Sequence, residues 1–221
     1  MQPTDLDGLP IGRHPGWPAR LGPLITARGS VALRPPRLAD AGAWSRTRLS
    51  DRDYLQEWEP TAFGGWQERN SRMAWPAQWI ALRGMARRGQ MLPFAITVDG
   101  AFAGQLTVGN IVRGALRSAW IGYWVAQDKA GGGIATAAVA LATDHCFRRV
   151  GLHRLEATVR PENDRSVRVL EKAGFRHEGL FKRYLDVAGA WRDHYVYGLT
   201  TEDVPDGAVF RLIRAGGASR P

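Results

Sequence analysis

At 221 residues, 44% hydrophobic and 23% charged, the chain has enough apolar sequence for one sizeable core, which excludes the disordered and fibrous classes. Its net charge of +9 favours partners that carry phosphate, but no block of Lys and Arg indicates a nucleic-acid site, so direct nucleic-acid binding is not expected. Cys146 is the single cysteine, which excludes a disulfide framework, and no apolar run predicts a membrane span, so we expect a cytoplasmic protein.

Hydrophobic periodicity and turn residues divide the chain into an arm, one domain and a tail. Five early prolines indicate an irregular, proline-rich arm at 1–28, followed by the domain at 29–203 and a basic tail at 204–221. The predicted elements are, in chain order, a strand at 31–34, helices at 40–49 and 68–88, strands at 92–98, 101–108 and 118–125, a helix from the glycines near 131 to about 149, a strand at 155–159, a helix at 163–172 and two strands within 175–199. This order predicts a mixed α+β sheet.

Three consecutive glycines, Gly131, Gly132 and Gly133, stand between a strand and a helix. The first N–H groups of a helix lack partners and attract anions, and glycines let an anion come close. A phosphate or pyrophosphate is therefore predicted between Gly131 and Thr136. A P-loop is excluded because no Lys follows the glycines, and a dinucleotide fingerprint is disfavoured because antiparallel hairpins precede the motif. A glycine-rich turn without a ligand is the remaining alternative.

Four spaced segments resemble the GNAT superfamily of acetyl-CoA-dependent N-acetyltransferases, and within it the RimJ/RimL-like protein N-terminal acetyltransferases. The segments are Ile121-Gly-Tyr-Trp-Val125, Ala130-Gly-Gly-Gly-Ile-Ala-Thr136, Arg160-Pro-Glu-Asn-Asp-Arg-Ser-Val-Arg-Val-Leu-Glu-Lys-Ala-Gly-Phe175, and Glu178-Gly with Trp191-Arg-Asp-His-Tyr195. The resemblance implies an α+β fold whose mostly antiparallel central sheet splays open after the strand at 121–125, with acetyl-CoA in the opening. No metal is implied.

The resemblance also implies roles for particular residues. The backbone of Val125 would pair with pantetheine, and Asn163 would donate a side-chain hydrogen bond to the cofactor. Ser166 matches the position that can donate a proton to the departing thiolate, although a hydroxyl in a first helical turn can equally serve the backbone. The amides that would hold the pyrophosphate are those of Gly131, Gly132, Gly133, Ile134, Ala135 and Thr136.

The residue that removes the proton from the amine is left open by the sequence. Many relatives have Glu immediately before the Ile-Gly-Tyr-Trp motif, where this chain has Trp120. The candidates are Glu156, Glu178, Asp193, His194 and a water chain, from which we select Glu156 and Asp193 as catalytic together with Ser166. Neighbours on a strand face opposite sides, so Asp193 and His194 cannot both face one substrate.

The acceptor is expected to be a primary amine. Glu57 and Glu59 flank Trp58 in a loop that borders the acceptor groove in this family, and with Tyr123 they are predicted to bind a cationic amine. The preferred acceptor is a protein N-terminus, plausibly that of a ribosomal protein. The alternatives are a small amine, such as an antibiotic or polyamine, and a non-catalytic module that binds acyl-CoA or a ribonucleoprotein. A monomer and a homodimer are equally compatible with the sequence.

Overall fold

The computed structural model describes residues 16–221, so the first part of the predicted arm lies outside the described residues. The strands are β1 (Leu21–Thr26), β2 (Gly29–Arg34), β3 (Met91–Val98), β4 (Ala101–Val112), β5 (Ser118–Val125), β6 (Arg154–Val159), β7 (Arg176–Val187) and β8 (Ala190–Thr200). The helices are α1 (Ala41–Ser50), α2 (Arg52–Gln56), α3 (Trp66–Arg69), α4 (Trp75–Arg87), α5 (Ile134–Arg148), α6 (Asp164–Ala173) and α7 (Ala208–Arg214).

All eight strands form one sheet in the order β1-β2-β3-β4-β5-β6-β8-β7. Every neighbouring pair is antiparallel except β5 and β6, which are parallel. The helix α5 packs against one face of the sheet, and its alanine-rich sequence is buried from Ala137 to Ala140. Small side chains let this helix lie close to the strands. The mixed, mostly antiparallel α+β fold predicted from the sequence is confirmed.

The sheet opens between β5 and β6. These strands pair only over Ser118–Trp120 of β5 and Arg154–Glu156 of β6. Beyond those residues β5 continues along β4 to Val125, while β6 continues along β8 to Val159. The two halves of the sheet therefore diverge, as the resemblance implied, and a groove forms between them.

The prediction of an irregular arm up to residue 28 is wrong for Leu21–Thr26, which forms the strand β1. Pro23 lies between Leu21 and Leu24, where the register with β2 shifts. Because β1 is an edge strand, the missing N–H of proline interrupts no central ladder. The strand is also held from outside the predicted domain, since Ile25 and Ser219 exchange two backbone hydrogen bonds of 2.8 and 2.9 Å.

Two further elements differ from the sequence prediction. The predicted helix at 68–88 is divided into α3 and α4, and Pro76 occupies the first turn of α4, where its missing N–H is tolerated. The predicted tail contains α7, which packs against α5 with Ala208 and Leu212 buried. The N–H of Ala208 donates to Asp144 of α5 at 2.6 Å. Residues on both sides of the predicted domain thus join its core.

Candidate functional site

A cavity of about 910 Å³ lies where β5 and β6 separate. Residues from α2 to α4 line it on one side, and residues from β4 to β8 and α6 line it on the other. Its walls combine aromatic rings with polar side chains. The rings include Trp58, Trp120 and Tyr184, and the polar side chains include Glu156, Ser166 and His194. A concave apolar site with convergent polar groups is typical of a ligand-binding pocket.

One face of the opened sheet, here called the tryptophan face, consists of Trp120, Glu156, Thr158, His194 and Val196. Trp120 lies opposite Glu156 in the short parallel pairing. Thr158 is two residues further along β6 and lies opposite Val196, and His194 follows two residues along β8. Because side chains two residues apart on a strand share a face, all five point to the same side of the sheet.

The opposite face of β5 carries Tyr123, which contacts Ser166 at the start of α6. The Tyr123 hydroxyl lies 3.0 Å from the Ser166 Oγ and donates to the Ser166 carbonyl at 3.3 Å. The side of β5 on which Tyr123 meets Ser166 is here called the serine face. Tyr123 was predicted to bind the acceptor, but its position on the serine face places its hydroxyl against the proposed proton donor. Burial raises the pKa of Tyr123 well above its ordinary value, although the hydrogen bond with Ser166 lowers it in part, so the phenol stays protonated.

Asn163 and Ser166 begin α6 together. The Asn163 Oδ1 accepts a hydrogen bond from the Ser166 N–H at 3.0 Å, so the side chain caps the helix. This capping orients Asn163 and leaves only its amide NH₂ to donate to a ligand. The Ser166 hydroxyl pairs with the phenol of Tyr123, whereas a hydroxyl serving only the helix would bond to backbone.

The glycine loop leads directly into α5. Gly131 and Gly133 both have a φ of +86°, in the left-handed region that favours glycine, and a Cβ on Gly131 would meet no neighbour within 4 Å. Ile134, Ala135 and Thr136 form the first turn of the helix, whose N–H groups have no acceptor within the helix. The loop therefore offers an open cradle of amides at the positive end of a helix dipole, which suits a pyrophosphate.

Arg28, in the turn between β1 and β2, lies over the same loop. A Cβ on Gly132 would come within 1.8 Å of the Arg28 Cγ, so the arginine occupies the space that a side chain at position 132 would take. Its Nη1 donates to the Asp128 carbonyl at 3.4 Å, and within residues 16–221 it forms no ion pair with a carboxylate. Sequence spacing gives no sign of this contact, because 104 residues separate Arg28 from Gly132.

Val125 ends β5 at the rim of the opening. Its partner is Gly104 of β4, and beyond Trp120 the other edge of β5 is not paired with β6. A free strand edge presents backbone N–H and C=O groups to a ligand. The geometry is therefore compatible with the pantetheine pairing implied by the resemblance.

The four side chains considered as bases lie in different surroundings. Glu156 lines the cavity, but its Oε1 accepts from the Arg154 Nε at 2.7 Å. Glu178 lies outside the cavity, and its hydrogen bond from Arg154 lowers its pKa. His194 is buried and lines the cavity.

Asp193, chosen from the sequence as catalytic, points away from the cavity. It accepts from the Arg183 N–H at 2.8 Å and from the Lys182 Nζ at 3.0 Å, and these contacts lower its pKa. The alternation of Asp193 and His194 follows the expectation that only one of them faces the substrate. Of the two, the structure brings His194 to the site.

Glu57 and Glu59, predicted to bind the amine beside Trp58, lie in different surroundings. Glu57 is exposed and does not line the cavity, while its carbonyl accepts from the Arg160 Nη1 at 3.0 Å. The Arg160 guanidinium also lies 5.1 Å from the centre of the Trp58 ring, so this ring already has a cation. Glu59 lines the cavity but is paired with the guanidinium of Arg48.

Arg48, which the sequence analysis did not select, anchors this wall of the cavity. Besides Glu59, its guanidinium donates to the Asn70 Oδ1 at 2.8 Å and lies 4.6 Å from the centre of the Trp66 ring. The loop after α2 is also tied to the far side of the groove, because Thr61 donates its N–H to the Asp186 carbonyl at 2.8 Å. These contacts hold this wall of the cavity in place at both of its ends.

Within residues 16–221 there is no group of three or more His, Cys, Asp or Glu side chains able to hold a metal ion. In the same part of the chain, no helix has both the length and the apolar character that crossing a membrane requires.

The chain is similar to known acetyltransferases over most of its length. Residues 30–176 match the family model of the acetyltransferase (GNAT) domain. The structure of Mycobacterium smegmatis RimJ in complex with CoA-disulfide is 56% identical in sequence and matches with a TM-score of 0.93, covering 95% of this chain and 100% of that one.

Two curated relatives match as well. The ribosomal protein uS5-alanine N-acetyltransferase of Escherichia coli strain K12 is 32% identical over 175 residues, which cover 74% of this chain and 85% of that protein. The probable N-acetyltransferase YjcK of Bacillus subtilis is 43% identical over 105 residues, covering 48% of this chain and 58% of the relative, so the match spans little more than half of its length. The chain therefore belongs to the GNAT family of acetyl-CoA-dependent N-acetyltransferases, and within it is of the RimJ/RimL-like type.

Proposed function

We propose that the protein acetylates the N-terminal α-amine of a protein, most plausibly a ribosomal protein, and that the amine attacks acetyl-CoA directly while both substrates are bound. The observation that carries the mechanism is the opened sheet. The serine face lies on the same side of the sheet as α5, the helix that the glycine loop leads into, and the tryptophan face lies on the other side. Two substrates can therefore approach from opposite sides and meet where β5 and β6 separate.

Two relatives support the choice of acceptor. The Escherichia coli protein is named for alanine N-acetylation of ribosomal protein uS5, and the alignment covers most of both chains. The match to Mycobacterium smegmatis RimJ extends over nearly the whole chain at 56% identity. The net charge of +9 also suits a substrate that is made and assembled beside ribosomal RNA, in the cytoplasm.

The groove itself supports a peptide end over a compact polycation. Phe181 and Tyr184 of β7 expose almost half of their surfaces at its border, and Trp120 is similarly exposed. Both cavity carboxylates, Glu59 and Glu156, already have arginine partners, so little net negative charge is left to hold several amines at once. An N-terminal α-amine also has a pKa of about 8 and gives up its proton more readily than lysine does.

The test is acetylation of a panel of short peptides that differ in the first residue, with spermidine and an aminoglycoside as small amines. Thiol release gives the rate, and fragmentation mass spectrometry gives the position of the acetyl group. We expect the α-amine of Ala- or Ser-initiated peptides to be acetylated, and the same peptides with a blocked N-terminus but a free lysine to be inert. Faster acetylation of a small amine than of every peptide would contradict the proposed acceptor.

A further inference from the structure

We propose that His194 is the catalytic base that removes the proton from the acceptor ammonium, with its ring held in the reactive tautomer by the backbone of its own strand. This proposal rests on the proposed function, because it requires that the acceptor is an amine. It does not depend on which amine that is. It assigns the step that Trp120 leaves open, since this position carries no carboxylate.

His194 lies on the wall of the cavity. His194 is 4% exposed, yet it lines the cavity on the tryptophan face together with Trp120 and Glu156. It is the one histidine in the described part of the chain that lines the cavity. A base must lie within hydrogen-bond reach of the proton that it accepts, directly or through one water, and a side chain on the acceptor wall meets that requirement.

A backbone hydrogen bond fixes the tautomer of the His194 ring. The Nδ1 of His194 lies 3.1 Å from the carbonyl oxygen of Arg192. A carbonyl oxygen can only accept, so the neutral ring must carry its proton on Nδ1 and keep a lone pair on Nε2. No partner is seen for Nε2 among residues 16–221. Tyr184 packs edge-on against the ring, with centroids 5.7 Å apart, and restricts its orientation.

The two carboxylates that were candidates for the base, Glu156 and Asp193, both have cationic partners. Glu156 is held by Arg154, and Asp193 faces away from the cavity between Lys182 and Arg183. A carboxylate already paired with arginine is a weaker proton acceptor than a free imidazole nitrogen. Besides His194, the titratable groups that line the cavity are Glu59, Tyr123, Glu156, Arg160 and Tyr184.

The proton balance is complete with these residues. His194 Nε2 takes one proton from the ammonium, and the neutral nitrogen then attacks the thioester carbonyl carbon, so that a C–N bond forms and the C–S bond breaks. The second proton lost by the nitrogen replaces the one that Ser166 donates to the thiolate. The products are the amide, the CoA thiol and a proton on His194, which passes to solvent.

The experiment compares H194Q and H194A with the unchanged protein, using the fastest acceptor found in the amine panel. H153Q is the matched control, because His153 is exposed and paired with Glu202 at the start of β6. We expect kcat/KM for the acceptor to fall at least about a hundredfold in both His194 variants and less than about twofold in H153Q. The affinity for acetyl-CoA, measured by calorimetry, should stay within about twofold, because the cavity that His194 lines includes no residue of the glycine loop.

A pH profile distinguishes a base from a structural residue. Without a base, only acceptor amine that is already neutral in solution can react, so the fold loss of kcat/KM in H194Q should be large at about pH 7 and should shrink as the pH rises above the amine pKa of about 8. Values of kcat/KM within about threefold of the unchanged protein, or a loss of acetyl-CoA affinity in proportion to the loss of turnover, would overturn the proposal. If the unchanged protein acetylates small amines but no peptide, the proposed acceptor is wrong. The ratio of kcat/KM between the unchanged protein and the His194 variants can then still be measured with a small amine.

Discussion

The hydroxyl of Tyr123 lies 3.0 Å from the Oγ of Ser166, although 43 residues separate them in the chain. The contact joins the middle of β5 to the first turn of α6, on the face of the sheet opposite Trp120. Since burial raises the pKa of Tyr123, its phenol can donate to Ser166 throughout the physiological range. A protonated phenol within hydrogen-bond distance of the Ser166 Oγ can replace a proton that the serine passes to a thiolate.

The first prediction concerns this pair. Tyr123→Phe and Ser166→Ala should each lower kcat about tenfold to a hundredfold, because each removes one member of the proton-donating unit. The double variant should be little slower than the worse single variant, since residues that act as a unit give non-additive effects. Steady-state kinetics of the three variants checks this. If the two effects multiply, the residues act independently and the assignment of Tyr123 is wrong.

Arg28→Gln should weaken acetyl-CoA binding about fivefold to tenfold, because the stem of Arg28 packs on Gly132 and brings its guanidinium beside the glycine loop, where a pyrophosphate is expected. The loss should shrink at high ionic strength, where the charge is screened. Calorimetry at two salt concentrations measures both effects. Arg20→Gln is the matched control, since it removes an exposed arginine from the same segment. Turnover with S-acetylpantetheine, which lacks the pyrophosphate, should be equal in Arg28→Gln and the unchanged protein, and a parallel loss would contradict the phosphate contact.

Arg48→Ala should lower the free energy of unfolding by about 3 kcal/mol, because it leaves Glu59 without its partner in a partly buried site. For a chain of this size the loss corresponds to a melting temperature lower by roughly 6 to 12 °C. Arg46→Ala, on the exposed side of the same helix, should cost less than about 0.5 kcal/mol. Thermal unfolding of both variants provides the comparison, and equal losses would show that the ion pair is not what fixes this wall.

Stability should fall as the pH is lowered through the range just below 6.5. Burial lowers the pKa of His145 below its ordinary value of 6.5. The hydrogen bond that the His145 ring donates to the Gly16 carbonyl, at 2.9 Å, raises this pKa and offsets part of the effect of burial. Below 6.5 the unfolded chain binds a proton at this position more readily than the folded chain does, so the free energy of unfolding rises with pH across this window. His145→Gln, which can keep a donor for Gly16, should give a flatter profile of melting temperature between about pH 5 and about pH 7.5. An unchanged slope would exclude His145 as its cause.

The elements that the sequence predicts well are those with local signals. The strands at 92–98, 101–108 and 118–125 and the glycines ahead of α5 each follow from signals within a few residues, and all of them appear in the structure. The strand β1 was missed because Pro23 and the prolines that precede the strand argue against regular structure, whereas its pairing with β2 and Ser219 is set by tertiary contacts.

The same distinction holds for the site. The glycine loop and the start of α6 follow from contiguous motifs, so the cofactor side could be described from the sequence. The acceptor side depends on pairs far apart in the chain, such as Arg160 over Trp58 and Arg48 with Glu59, and no spacing rule predicts these. The loop pattern therefore placed Glu57 and Glu59 together beside Trp58, whereas in the structure Glu59 is paired with Arg48 and Glu57 lies outside the cavity.

The alternation of β5 has a consequence for how the sequence can vary. Trp120 and Tyr123 project from opposite faces of this strand, so insertion or deletion of a single residue within it would exchange the side chains on the two faces. The loop between α2 and α3 has no such constraint on its length, because its far end, around Phe63 and Gly64, is exposed. Under the proposed function, in which this loop borders the acceptor, acceptor preference can diversify through insertions in the loop while β5 keeps its length.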